Sequence, residues 1–225
     1  MKIGTKNTAT FIYNDQNIEN VDTYKYLGHM LCNKKCIHDK MPNYITAQAQ
    51  KALFALQGKM KPSLGHISPS LAIKMFDSYI LPILEYNSML WSRTRAIPDI
   101  EKMQIGYLKG ILNIRKQTPT LAVYAETGRF PLIIRQKLTT VNYWAKLQKL
   151  PSHDILNKCS KIQENIHNKG QHNWYSKIMH VFTETNMEEW HALDHTILLN
   201  QVKLNLYTNE QSTILSEIND SDNLN

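Results

Sequence analysis

Ser68-Pro69-Ser70-Leu71-Ala72-Ile73-Lys74-Met75-Phe76-Asp77-Ser78-Tyr79-Ile80-Leu81-Pro82-Ile83-Leu84 is the stretch whose reading decides the fold. A capping hydroxyl at Ser68 precedes a proline whose missing N–H costs nothing at the first helical position. Leu71, Met75, Phe76, Tyr79, Ile83, Leu84 and Leu90 then recur at steps of three and four, a helical period that runs to Trp91. Pro82 falls inside it, where it removes one backbone bond, so two helical segments are expected to meet there, the second nearly buried.

Outward from this stretch the same period recurs. Upstream, Ile45, Ala49, Ala52, Leu53, Leu56 and Met60 share a face from an N-cap at Asn43, with Lys51 and Lys59 on another face and Gly58 and Pro62 ending the helix. Downstream, Pro98 opens a helix with Ile100, Met103, Tyr107, Leu108 and Ile111 inside, Lys102 and Lys109 outside and Arg115-Lys116 at its end. Gly106-x-x-x-Gly110 lies within it. Lysines interrupt the apolar run that a membrane dimerisation motif needs, so close helix packing is the expected reason for the small residues.

Thr118-Pro119 caps a short helix ended by Gly128. Pro131 begins a longer one to Pro151, with Val141, Trp144 and Leu147 inside and Arg135, Lys137, Lys146 and Lys149 outside. Helices over about 153–167, 173–183 and 187–206 follow, and the last dozen residues read as frayed. At the other end, Asn14-Asp15 tolerates positive φ between Phe11-Ile12-Tyr13 and the apolar run from Ile18 to Leu31, which predicts a β-hairpin. Lys34 to Pro42 reads as a loop. The fold class is therefore mainly α, with bundle-like helices and a small N-terminal β-hairpin.

The chain has 225 residues, 42% of them hydrophobic, enough for one large or two small domains with a core. No run has the length of a membrane span and the start lacks the apolar core of a signal peptide, so an intracellular protein with no membrane contact is expected. Cys32, Cys36 and Cys159 read as reduced thiols. The net charge of +7 conceals a division: residues 1–150 hold 21 Lys or Arg against 9 Asp or Glu, whereas residues 151–225 hold 5 against 10. A basic field of that size suits phosphate polyanions, and a merely solvated basic surface is the alternative.

Catalytic constellations are missing from the pattern. There is no adjacent Asp-Asp pair for two-metal chemistry, no G-x-S-x-G elbow, and no glycine-rich phosphate loop after a strand. Cys32-x-x-x-Cys36-x-His38 offers three soft ligands without a fourth, and Cys159, His167 and His172 lack a second cysteine pair, so both sets read as ordinary loop and helix residues and no metal is expected. Tyr24-Lys25-Tyr26 and Tyr143-Trp144-Ala145-Lys146 interleave aromatic and basic residues, as single-strand binders do and as half-buried elements do too.

The order of these signals resembles the reverse transcriptases of LINE-type, non-LTR retrotransposons, beyond their active site. Asn17 to Gly28, ending Tyr26-Leu27-Gly28, resembles the family's primer grip. Ala47 to Leu56 resembles its first thumb helix, Phe76 to Trp91 its "Pro-x-Leu-x-Tyr...Trp" helix, and Ile100 to Gln104 the next. Glu126-Thr127-Gly128-x-x-Pro131-Leu132 resembles its "Glu-x-Gly-x-x-Pro-Leu" turn, and Lys203 to Tyr207 a short motif near its end.

The resemblance implies three parts: the end of the palm over 1–42, a basic thumb over 43–150 and an acidic C-terminal region over 151–225. It implies a template–primer duplex of RNA and DNA as partner, contacted through phosphates by Lys51, Lys59, Lys61, Lys102, Lys109, Arg115 and Lys116. The fingers, the palm aspartates and the divalent metal they hold, such as Mg, would all precede Met1. The chain by itself is then expected to carry no catalytic residue, no cofactor and no polymerase activity. A non-catalytic helical interaction protein and a relic without function are the alternatives, and oligomeric state is left open.

Overall fold

Two β-hairpins lead into a helical body. The computed structural model describes residues 11–33, 36–60, 67–190 and 193–222. Strands β1 (Phe11–Tyr13) and β2 (Gln16–Ile18) pair antiparallel across Asn14 and Asp15, both at positive φ (48° and 59°), the left-handed pair that matches strand twist in a two-residue hairpin. The run to Leu31 is not one strand. It folds back on itself as β3 (Thr23–Tyr26) and β4 (His29–Cys32), turning at Leu27 and Gly28 with φ of 46° and 79°. A second two-residue turn thus stands where a single strand was expected.

Helix α1 (Met41–Met60) starts two residues before the expected cap, because Pro42 sits in its first turn, where its missing N–H is harmless, and Asn43 is already helical. Its buried line Ile45, Ala49, Leu53, Leu56 and Met60 is the predicted face, and the helix runs through Gly58. In α2 (Pro69–Tyr79) the Ser68 hydroxyl accepts from the Leu71 N–H at 3.3 Å, as the Ser-Pro signal predicts. The helix breaks at Ile80, just before Pro82 in the first turn of α3 (Leu81–Leu84), and a second break at Asn87, φ 52°, separates α4 (Ser88–Trp91). Ile80, Leu81, Leu84 and Trp91 are buried, but Pro82 is exposed, so the second half is less enclosed than the sequence suggests.

Helix α5 (Pro98–Ile111) joins α1 and α2 in the first core, where Tyr107 donates to the Ala72 carbonyl at 2.7 Å and its ring packs on Phe76. Gly128, at φ 62°, ends α6 (Thr120–Thr127), and α7 (Leu132–Gln148) follows. Pro119 stands at the α6 cap position expected of Thr118 and brings no side-chain bond. Asp154 caps α8 (Ile155–Asn168), and Asn173 and Ser176 form a capping box on α9 (Trp174–Glu184).

The last helix, α10 (His195–Asp222), differs from the expected 187–206 at both ends. Asp194 starts it by accepting from the Thr196 N–H at 2.7 Å. It continues past the expected frayed point because Ile214 is buried against Ile105, Leu108, Val123 and Tyr124 of α5 and α6. A second core gathers α7, α9 and α10 around Trp144, Ile178 and Phe182. The fold is mainly α with small antiparallel hairpins at the N-terminal side, and among the described residues no helix is long and apolar enough to cross a membrane.

Candidate nucleic-acid interface

Helix α5 leaves part of its outer surface bare. At Gly106 and Gly110 a Cβ would meet nothing within 4 Å, so these glycines do not mark a close helix contact, as their spacing suggests. They form the floor of an open cleft of about 540 Å³ between α5, the 113–118 turn and the start of α6. Lys102, Lys109 and Lys116 line it, together with Asn113, Thr120 and Tyr124. Three lysines spread over fifteen residues of sequence thus meet at one groove with exposed backbone at its floor.

The cleft's charge is not cancelled locally. Lys102 lies 3.8 Å from Asp99, one turn back on the same exposed helix, a pairing weak in water. Lys109 Nζ donates to the Lys116 carbonyl at 2.8 Å, which holds the turn without neutralising the amine. Glu101 also lines the cleft, but its carboxylate accepts from the N–H groups of Leu132 and Ile133, both at 3.0 Å, and from the Tyr124 hydroxyl at 3.2 Å. It thereby caps α7, which Pro131 leaves without a side-chain cap. Burial pushes the Glu101 carboxyl above its ordinary value, against the opposing pull of those two amides. Helix α6 likewise lacks a side-chain cap, so the positive end of its dipole borders the cleft at Thr120.

The other sequence-predicted residues fall around this site or apart from it. Arg115 is exposed in the turn between Asn113 and Lys116. Lys51 and Lys59 are exposed on α1, eight residues apart in the chain, and line none of the described cavities with the three cleft lysines. Lys61 lies outside the described residues. Among those described, no ion pair uses Lys51, Lys59, Lys109, Arg115 or Lys116. By contrast Arg135 and Lys137, read from the sequence as outer positions of α7, are taken up by Glu85 and Glu184.

Tyr26, Leu27 and Gly28 form the tip of the second hairpin, with Tyr26 and Leu27 exposed. A Cβ on Gly28 would stand 3.4 Å from the Tyr86 ring and hydroxyl, and that hydroxyl donates to the Leu27 carbonyl at 2.6 Å. The glycine therefore serves a left-handed turn and a close approach by a side chain 58 residues later. Sequence reasoning took Tyr86 and Glu101 only as parts of longer motifs, without these contacts, and missed the turn residue Asn113. Only Asn113 carried a local signal, an asparagine beyond a helix end that adopts φ 53°.

The histidine and cysteine motifs resolve into ordinary contacts. Cys32 is buried, its thiol donating to the carbonyls of Cys36 and Ile37, and His29 Nε2 meets His38 Nδ1 at 2.8 Å. Burial pulls His38 down to about 4, helped by the neighbouring His29 and Lys177. His167 Nδ1 bonds the Ser176 hydroxyl at 2.8 Å. Among the described residues no group of three or more His, Cys, Asp or Glu is placed to hold a metal ion. Compared with family models, curated proteins and solved structures, the chain matches none.

Proposed function

We propose that this chain is the thumb-side part of a LINE-type reverse transcriptase, binding a template–primer duplex by its phosphates and carrying no polymerase chemistry of its own. The α5–α6 cleft is the observation that supports this most, because it brings Lys102, Lys109 and Lys116 together over two glycines, with Lys102 paired to the exposed Asp99 and, among the described residues, no ion pair on the other two. Phosphate recognition needs long cations along a surface that the backbone of a nucleic acid can approach, and no base-reading geometry. Arg115 extends that surface, and Lys51 and Lys59 add charge on α1. The Tyr26-Leu27-Gly28 turn, held by Tyr86, is the piece that would lie nearest a primer end in this reading.

The test is fluorescence anisotropy of a labelled RNA–DNA primer–template against the purified chain over a range of salt. Log K is expected to fall against log salt with a slope of about −3 to −4, as ~4 phosphate contacts require. Absence of binding at low salt removes the nucleic-acid role. Primer extension by the chain alone would overturn the claim that its chemistry lies elsewhere.

A further inference from the structure

Helix α8 is packed with its polar side inward. Its fully buried residues are Asn157 and Ser160, which bond the Leu147 and Leu150 carbonyls and the Gln148 amide. Its apolar residues point the other way: Ile155 is 72% exposed and Ile162 53%, with Cys159 exposed between them. At 100° per residue, Ile155, Cys159, Ile162 and Ile166 form one stripe along a helix about 21 Å long.

This stripe adjoins a groove. Cys159 of the stripe, with Leu156 and Gln163 next around the helix, lines a cavity of about 760 Å³ whose other walls include Leu90, Tyr143 and Trp174. Lys177 stands at the groove, bonded to the Leu90 carbonyl at 3.0 Å and its amine lowered by burial, and the neutral His38 lies beside it with His172. Lys158 and Lys169 flank the outer edge of the stripe by the same helical arithmetic.

Charge within the acidic C-terminal region is segregated to match. Residues 151–183 hold Lys158, Lys161, Lys169 and Lys177 against Asp154 and Glu164, whereas 184–225 hold eight Asp or Glu against Lys203 alone. Asp154 is spent on capping α8, and Glu164 faces Tyr175, whose hydroxyl is held above its ordinary value by burial and then by Glu164.

We infer that α8 and this groove form a docking site for an amphipathic helix with acidic flanks, contributed by another protein. An apolar stripe at helical spacing that runs beyond its cavity is complemented by the stripe of a second helix rather than by a compact small molecule. The lysines along both edges select acidic flanks, and they repel a second copy of α8, whose edges carry the same charge. The site is separate from the α5–α6 cleft and does not depend on nucleic-acid binding.

The test uses a fluorescein-labelled peptide of about 18 residues with Leu at i, i+4, i+7 and i+11, Glu on the flanks and Ala elsewhere. A control carries Lys in place of every Glu. Anisotropy is expected to show binding of the Glu peptide, weakened between about 50 and about 300 mM salt, and none of the Lys peptide. The double variant Ile155→Glu, Ile162→Glu, altered only at exposed positions and checked for fold by circular dichroism, is expected to weaken binding at least about tenfold. No preference for the Glu peptide, or unchanged binding by the double variant, overturns the inference. So does a concentration-dependent dimer of the chain alone, seen by sedimentation, that the same variant abolishes.

Discussion

Helices α5 and α7 both carry basic side chains toward their surfaces, and they use them in opposite ways. On α7, Arg135 forms two hydrogen bonds to Glu85 and Lys137 reaches both oxygens of Glu184 at 2.6 Å, so these cations join α7 to the turn after α3 and to α9. Arg129, just before α7, does the same with Asp77 of α2. On α5 Lys102 pairs with Asp99 on its own exposed face, and Lys109 donates to a main-chain carbonyl. The lesson is that a basic count does not locate an anion site. What locates it is the subset of cations that folding leaves without half-buried acidic partners.

The largest effect expected from this difference is on duplex binding. Lys102→Ala, Lys109→Ala and Lys116→Ala together are expected to weaken duplex affinity about 100-fold at moderate salt and to flatten the salt slope by about 3, read by anisotropy. Their thermal stability should move by less than about 0.5 kcal/mol, since none has a buried partner. A triple variant that binds as well as the parent breaks the contrast.

Next comes the paired set. Asp77→Ala leaves the half-buried Arg129 guanidinium without its acid and is expected to cost about 2 kcal/mol in denaturant unfolding, with duplex affinity unchanged. Loss of affinity there would mean that structural and binding cations are not separable.

Gly28→Val tests the hairpin tip. At φ 79° a β-branched side chain is strained, and its Cβ comes into van der Waals contact with the Tyr86 ring, so a stability loss of about 1–2 kcal/mol is expected. A primer-placing role adds weaker binding of a recessed primer–template relative to a blunt duplex of the same length. If stability alone changes, the glycine serves only the turn and Tyr86.

The smallest effect concerns pH. His38 is held low chiefly by burial, and His29 is lowered by burial as well. A histidine depressed in the folded state takes up its proton first in the unfolded chain. Its stabilisation is therefore present above the unfolded value of 6.5 and is lost as pH falls toward about 4. The loss should be about 1 kcal/mol after solvent screening, measured as a falling melting temperature from pH 7 to pH 5. Neither histidine lines the α5–α6 cleft, so duplex affinity at pH 6 should match that at pH 7.

Much of the architecture was legible because it is local. Ser68-Pro69, the α1 face from Ile45 to Met60, the Asn14-Asp15 turn and the Gly128 stop each rest on the chemistry of a few adjacent residues, and each occurs as read. The same locality explains the charge division and the choice of Lys102, Lys109 and Lys116 as outward cations, Lys109 half-buried, on or just beyond one helix.

Tertiary structure decided what depends on partners distant in sequence. It placed Tyr86 on Gly28, so that the expected strand became a hairpin tip. It carried α10 past residue 206, because Ile214 finds a seat on α5 and α6 that no reading of its own neighbours reveals. It paired Arg129, Arg135 and Lys137 with acids about 50 residues away while leaving the α5 lysines open. It also turned the polar side of α8 inward, because the carbonyls ending α7 needed the Asn157 amide more than the core needed another isoleucine. Periodicity says that a helix has two faces. Which face is covered follows from the hydrogen bonds and burial that its neighbours offer.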